Sequence, residues 1–485
     1  LSDASDAAPE ALDEFSVPDI ANPPGPSNCT IGVAGVMNDP VALCFQGDLL
    51  KTEVNAAYVP GQGVAQMWDD SGHTSGHAWQ DDLGLASAIA SFVCSAEFYG
   101  NTEYDAALRP VLGDLAKVIP PEFPSGIAGY DGEVYFRLRN AEAGYNYLNG
   151  SPQAATFSAM ADAYARAIQG SYAQTVPAPG DGGAPGLVIG TPDKAGGIDY
   201  APAQVIMASA ALLDMALLHG SDPDAGTDPA TWQSTALAAL DYVWRRGRDP
   251  VTGLFYQSLV TSSDPAHDTP LPGTPTSDAL LTDVQAAAIL GLARTEDRFD
   301  TLQAAGDAGL PDGGANTEPY LAEADILATA LTGSAGIKLW DGAASSGTTP
   351  GAFVEGVVPS DGNALMTDKT TAGNAFLLGG IHRLAIGRGT KSSYVLGQIR
   401  AALLQITPAH SSLFTVVTNA SGIASQDGYL RASSRNWNYA TVFMPGGGGA
   451  EEPSAREYRA DALNAVAEGF NQLWYGGQNA PQCAP

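Results

Sequence analysis

The chain has 485 residues, enough to bury a large core, and that length fits either two to four ordinary domains or one large repetitive one. Lys and Arg number 22 against 53 Asp and Glu, giving a net charge of −31 that repels phosphate backbones and argues against nucleic acid as a partner. No stretch approaches the roughly 20 apolar residues needed to span a bilayer, so membrane insertion is not expected.

Residues 1–26, "LSDASDAAPEALDEFSVPDIANPPGP", are acidic and proline-rich with few large apolar groups, which reads as an extended tether. Residues 27–485 read as one domain. The tether suits a segment left after removal of a leader, so a secreted or periplasmic location is expected. Four cysteines permit two disulfides, and pairing Cys29 with Cys44 and Cys94 with Cys483 would tie down the C-terminal tail; four buried thiols are the alternative.

Two kinds of helical pattern alternate from residue 83 onward. Segments near 83–99, 200–219, 284–293 and 375–386 are apolar or small almost all the way round and must be covered on every side. Between them lie one-faced helices, with Phe157, Met160, Tyr164 and Ile168 at helical spacing, then Leu237, Leu240 and Trp244, then Leu396, Ile399 and Leu403. Pairing neighbours gives 83–99 with 104–118, 133–149 with 153–170, 200–219 with 229–246, 279–294 with 315–333, and 370–386 with 392–406. A sixth pair joins 453–474 to the segment near 47–58. Six hairpins with a buried inner layer and a half-exposed outer layer predict an all-α fold, an (α/α)6 toroid. An open solenoid is the competing arrangement. Short strand signals such as "GLFYQSLV" from 253 and "SLFTVV" from 412 predict β-hairpins on one rim.

In such a ring the inner helices run parallel, and their N-termini share one mouth. Acidic residues sit at those starts: Asp81 and Asp82 in "QDDLGLA", Asp131 in "YDGEVYF", Asp199 in "IDYAPA", Asp283 in "LTDVQAA" and Asp368 in "TDKTTAGNAF". Each is also a natural helix cap, because a carboxylate accepts free N–H groups and complements the helix dipole. As a set they suit glycosidic cleavage, in which one carboxyl protonates the leaving oxygen and a second acts as nucleophile or base. The catalytic candidates are Asp81 and Asp82, with Asp131, Asp199 or Asp283 able to supply the second group.

Sugar rings stack on aromatic faces, which singles out Trp68, Trp79, Tyr130, Tyr256 and Trp437 in loops or at helix starts. Trp232, Trp244 and Trp474 lie on helix faces and read as core. Asp70, His73 and His77 in "WDDSGHTSGHAW" complete the polar set near the aspartate pair. The two histidines have i, i+4 spacing, but the Gly- and Ser-rich run disfavours a helix and lacks a metalloprotease glutamate, so no metal is expected there. Their expected work is hydrogen bonding to substrate or orienting the aspartates. "SDPDAGTDP" makes an oxygen-rich turn at Asp222, Asp224 and Asp228 suited to calcium, yet Gln233 stands where an EF-hand needs Glu. No cofactor is otherwise implied. If the substrate carries a carboxylate, Arg137, Arg139, Arg431 and Arg435 are its expected clamps; ion pairing with the chain's own acids is the alternative.

"AWQDDLGLASAIA" resembles the consecutive-Asp motif of the endo-α-1,6-mannanases in the six-hairpin glycosidase superfamily, and "WRRGRDPVTGLFYQ" resembles the helix-exit turn of sugar-acting members. The resemblance implies a retaining hydrolase with Asp81 and Asp82 as nucleophile and acid/base. The expected partner is an oligosaccharide or polysaccharide, neutral or weakly charged. A lyase or epimerase on uronic-acid sugars, with a basic pocket around Arg137, Arg435 or Lys369, and a non-catalytic glycan-binding protein are the alternatives.

Overall fold

In a computed structural model of the chain, the structure describes residues 46–47, 50–51, 53–68, 74–77, 79–98, 104–119, 152–177, 185–219, 229–264, 266–272, 277–304, 319–332, 339–341, 352–361, 364–366, 373–374, 377, 379–381, 384, 414–418, 424–430 and 458–459. The expected tether at 1–26 lies outside these residues, as do Cys29, Cys44 and Cys483; Cys94 sits on the first full helix.

Helix α1 (Trp79–Phe98) is followed by α2 (Asp105–Val118), α3 (Pro152–Ala167), α4 (Pro202–His219), α5 (Pro229–Arg246), α6 (Thr282–Ala304) and α7 (Pro319–Leu331). Two burial patterns alternate among them. In α4, Val205, Ile206, Leu212, Leu213 and Met215 are buried on all sides, as the lack of a polar face requires. In α5, Trp232, Ala236, Ala239, Leu240 and Val243 face inward while Ser234, Ala238, Asp241 and Arg245 form a solvent stripe at helical spacing. The inner helices touch one another directly. A β-carbon on Gly291 of α6 would fall 2.9 Å from Ile206 Cγ2 of α4, and one on Gly380 would fall 2.8 Å from Ile289 Cγ2 of α6. Asp214 of α4 is buried and ion-paired with Arg294 and Arg298 of α6, joining two inner helices.

Nearly all the strands lie between the end of an outer helix and the start of the next inner one. After α3, a π-turn at Ile168–Tyr172 leads into β4 (Ala173–Val176), β5 (Gly186–Ile189), β6 (Thr191–Pro192) and β7 (Ile198–Tyr200). After α5 come β8 (Leu259–Val260), β9 (Thr269–Pro270) and β10 (Leu280–Leu281), and after α7 come β11 (Trp340–Asp341), β12 (Ala352–Phe353), β13 (Gly356–Val358) and β14 (Ala364–Met366). These connections pair with each other: β7 with β8, and β10 with β13, both antiparallel. The strands therefore form a belt at the end of the ring where the inner helices begin.

The circle also closes. Ahead of α1, β1 (Tyr58–Val59), β2 (Gly63–Trp68) and β3 (Thr74–His77) form a meander, and β17 (Tyr458–Arg459) pairs with β2 through Tyr458↔Trp68 and Arg459↔Met67. A late segment thus hydrogen-bonds to an early one, which an open solenoid does not do. The remaining strands, β15 (Phe414–Thr418) and β16 (Ala424–Leu430), pair with each other where the second strand signal was read. Three boundaries differ from the sequence reading. Tyr458–Arg459 is a strand inside the segment read as the last helix, Ile198–Tyr200 is a strand where the helix at 200 was to begin, and α6 runs on to Ala304.

Between α5, α6 and α7 a half-buried acid has an altered proton affinity. Burial pushes the Glu323 carboxyl from its ordinary 4.5 up to about 8, with Asp241 and Glu296 adding to the rise and Arg248 opposing it. The folded chain holds a proton that the unfolded chain releases near 4.5, so stability is full below that pH and falls as pH climbs to about 8. Glu323→Gln removes this dependence. Its unfolding free energy relative to the parent should rise by about 2 kcal/mol between pH 5 and 8.5 in urea titrations, a figure discounted for partial exposure.

Candidate active site

The start of α1 and the β2–β3 hairpin form the best-defined cluster on the rim. Asp82 has no exposed surface, and both its oxygens are occupied: Oδ1 accepts the Val64 N–H at 2.7 Å, and Oδ2 lies 2.8 Å from His77 Nε2. Burial raises the Asp82 carboxyl above its ordinary range, against the pull of Val64 and His77. Gly63 makes the close approach possible. Its φ is +100°, and a β-carbon there would fall 2.6 Å from His77 Nε2 and strike the Asp82 carboxylate as well. The neighbouring turn is fixed to α2, where Asp114 accepts the Gly61 N–H at 2.7 Å and the Tyr58 hydroxyl.

Asp82 was expected to cap its own helix. Its bonds go instead to the hairpin. Asp81 retains 9% of its surface. Asp283, the second residue of α6, is exposed, and its Oδ1 accepts the Val284 N–H at 2.8 Å. Nearby protein atoms raise its carboxyl above the ordinary range, against the pull of the Val284 N–H. Asp199 is not a helix cap. It lies on β7 opposite Thr191 and Val260, and burial with Asp193 nearby raises its carboxyl.

The rim has an internal repeat that the sequence reading missed. Gln285 of α6 accepts the Phe255 N–H at 2.9 Å and donates to the Phe255 carbonyl at 2.7 Å. Asn374, on the next inner helix, does the same with Phe353 at 2.9 and 3.1 Å. Each Phe packs on a Trp, Phe255 on Trp244 and Phe353 on Trp340, with ring centroids 5.9 and 4.8 Å apart. Each amide precedes by six residues the glycine, Gly291 or Gly380, that touches the previous inner helix. The signal was present as Gly-x-Phe, in "GLF" and "GAF", followed by an amide and then a glycine six residues later.

After α5, Asp249 closes the helix-exit turn by accepting the Thr252 N–H at 2.7 Å and the Tyr256 hydroxyl at 2.8 Å. Tyr256 thus spends its hydroxyl proton on Asp249 and keeps its ring and the lone pairs of its oxygen. Deeper in the rim, Asp268 is fully buried and accepts from Tyr200 at 2.6 Å, Tyr242 at 2.9 Å, Ser262 N–H at 2.9 Å and the Arg246 guanidinium at 2.7 and 3.1 Å.

Of the sequence-derived candidates, the structure brings Asp81, Asp82 and His77 together and sets Asp283 at the start of another inner helix. Trp68 ends β2, and Trp79 opens α1. Asp70, His73, Tyr130, Asp131, Arg137, Arg435 and Trp437 lie outside the described residues, as do Arg139, Arg431 and the Asp222–Asp228 turn read for calcium. Among the described residues no group of three or more His, Cys, Asp or Glu could hold a metal ion, and no helix is long and apolar enough to cross a membrane.

The described chain is an (α/α)6 toroid in which the inner helices α1 and α6 begin on acidic residues beside a β-stranded rim. No protein-family model matches the sequence, and no curated protein does. Solved structures match over most of its length. A family 76 glycoside hydrolase from a bovine Bacteroides thetaiotaomicron strain is similar at a TM-score of 0.55 and 10% identity, covering 89% of this chain and 77% of that one. An unsaturated glucuronyl hydrolase specific for heparin is similar at 0.52 and 10%, covering 90% and 97%. The α-1,6-mannanase of Salegentibacter sp. is similar at 0.51 and 11%, covering 90% and 100%. Likeness at such identity is likeness of fold, and that fold is the six-hairpin toroid that the helix pairing predicts.

Proposed function

We propose that the chain is a glycoside hydrolase acting on a neutral or weakly charged glycan bound in the mouth of the ring. The observation that supports it is the placing of carboxyls in the first turns of two inner helices, Asp81 and Asp82 on α1 and Asp283 on α6, in a toroid shared with glycoside hydrolases. Asp81 is the first reacting group in this reading. The second carboxyl comes from the same set of helix starts, where burial raises the Asp283 carboxyl above its ordinary range.

A neutral sugar is favoured by charge. The net charge of −31 repels polyuronates, and Arg246, a buried guanidinium among the described residues, is already engaged by Asp268. The reading includes work outside the cytoplasm, in keeping with four cysteines and no close metal-type spacing. Purified protein incubated with α-1,6-mannan, dextran, β-glucan, xylan, polygalacturonate and heparin is expected to release reducing ends from a neutral polymer without absorbance from an unsaturated uronide. Unsaturated product would mean a lyase, release of unsaturated uronides from pre-cut heparin a glucuronyl hydrolase, and binding without cleavage a lectin-like protein.

A further inference from the structure

The two consecutive aspartates do not occupy equivalent surroundings, and the repeat within the ring says what separates them. Gln285 and Asn374 stand at one position of successive inner helices, where each reaches out of the ring to hold the backbone of the preceding connection. Asp82 holds the Val64 N–H from the start of α1 in the same manner. Aligning Asp82 with Gln285 sets Asp81 against Val284 and Gln80 against Asp283. Gln285 is fully buried in the wall, whereas Val284 is partly open and Asp283 exposed. The register thus sets position 82 into the wall, where Asp82 keeps no exposed surface, while Asp81 beside it keeps 9%.

We propose that Asp82 is a positioning carboxylate and not a reacting one: it locks the β2–β3 hairpin onto α1 and so presents His77 at the mouth as a polar contact for the glycan. For a reaction, a carboxyl oxygen must reach the anomeric carbon or the bridging oxygen. Both Asp82 oxygens are spent on Val64 and His77, Gly63 closes over them, and no Asp82 surface remains open. His77 keeps 43% of its side-chain surface. With Nε2 held by Asp82, Nδ1 is left for a sugar hydroxyl, which can donate or accept. The part of the inference that concerns the glycan rests on the hydrolase reading; the clamp does not.

Three variants separate these statements. Asp82→Asn keeps an acceptor for Val64 and a partner for His77, as the amides of the other helices do, whereas Asp82→Ala removes both. The Val64 amide should exchange slowly in the parent and in Asp82→Asn, and about 10-fold or more faster in Asp82→Ala, by hydrogen exchange without any substrate. On the neutral polymer that is cleaved, Asp82→Asn should lower kcat by no more than about 10-fold, and His77→Ala should raise KM several-fold more than it lowers kcat. A folded Asp82→Asn with protected Val64 whose kcat falls about 1,000-fold would overturn the positioning role. Equal exchange at Val64 in Asp82→Ala and the parent would overturn the clamp. If the parent cleaves no polymer, the hydrolase reading fails, and the exchange comparison still decides the clamp.

Discussion

Asp81→Asn should leave the toroid folded and lower kcat on the cleaved polymer by about 1,000-fold or more, read from initial rates of reducing-end release beside an unchanged urea midpoint. The substitution keeps the shape of the side chain and removes the charge and proton that glycosidic cleavage uses, so the loss falls on the transition state. Asp81 sits one residue before the clamp, in the first turn of α1, and keeps 9% of its surface where Asp82 keeps none. Asp82→Asn, made in parallel, is the natural control, because it changes the same chemistry one residue away. A large loss in Asp81→Asn beside a small one in Asp82→Asn assigns the chemistry to one carboxyl of the pair. Equal and small losses in both would remove α1 from the reaction and direct attention to Asp283.

Much of this architecture can be read from hydrophobic pattern. A helix such as α4, with no polar face, has to be inside, and a helix such as α5, with a solvent stripe at Ser234, Ala238, Asp241 and Arg245, has to be outside. Alternation of the two kinds leaves few arrangements other than a double ring. Closure is harder to read, since it depends on Tyr458–Arg459 finding β2 nearly 400 residues away in sequence, and two residues carry little strand signal of their own. The same limit hides Asp199, whose segment Ile198–Tyr200 looks like the first turn of a helix but is a strand paired with β6 and β8. The role of Asp82 was hidden for a different reason. An aspartate at a helix start has a strong local use as a cap, and the backbone of Val64, 18 residues earlier, and the His77 ring compete for it. Gln285 and Asn374 show no such competition in sequence and stand out only when the ring is viewed as a repeat.

Asp268 illustrates a partner set that sequence conceals, and it gives the largest expected effect on stability. Asp268→Ala should destabilise the fold by about 3–5 kcal/mol, measured as a shift of the chemical unfolding midpoint at constant slope. The wild-type carboxylate is fully buried and accepts from Arg246 of α5, Tyr242 of α5 and Tyr200 of β7, tying one outer helix to the connections on either side. Burial next to this carboxylate pushes the two tyrosine hydroxyls well up, so both remain protonated donors across the working pH range. Alanine takes from the Arg246 guanidinium the buried carboxylate it pairs with, while the Ser262 and Asp264 carbonyls remain, and leaves two buried hydroxyls without their acceptor. Asp268→Asn restores an acceptor for the tyrosines while omitting the charge, so it should recover part of the loss. If the two variants were equally destabilised, the hub would act through the ion pair alone; if neither were, the β6–β9 sheet would be held by its strand pairing and the packing of Tyr200 on Tyr242.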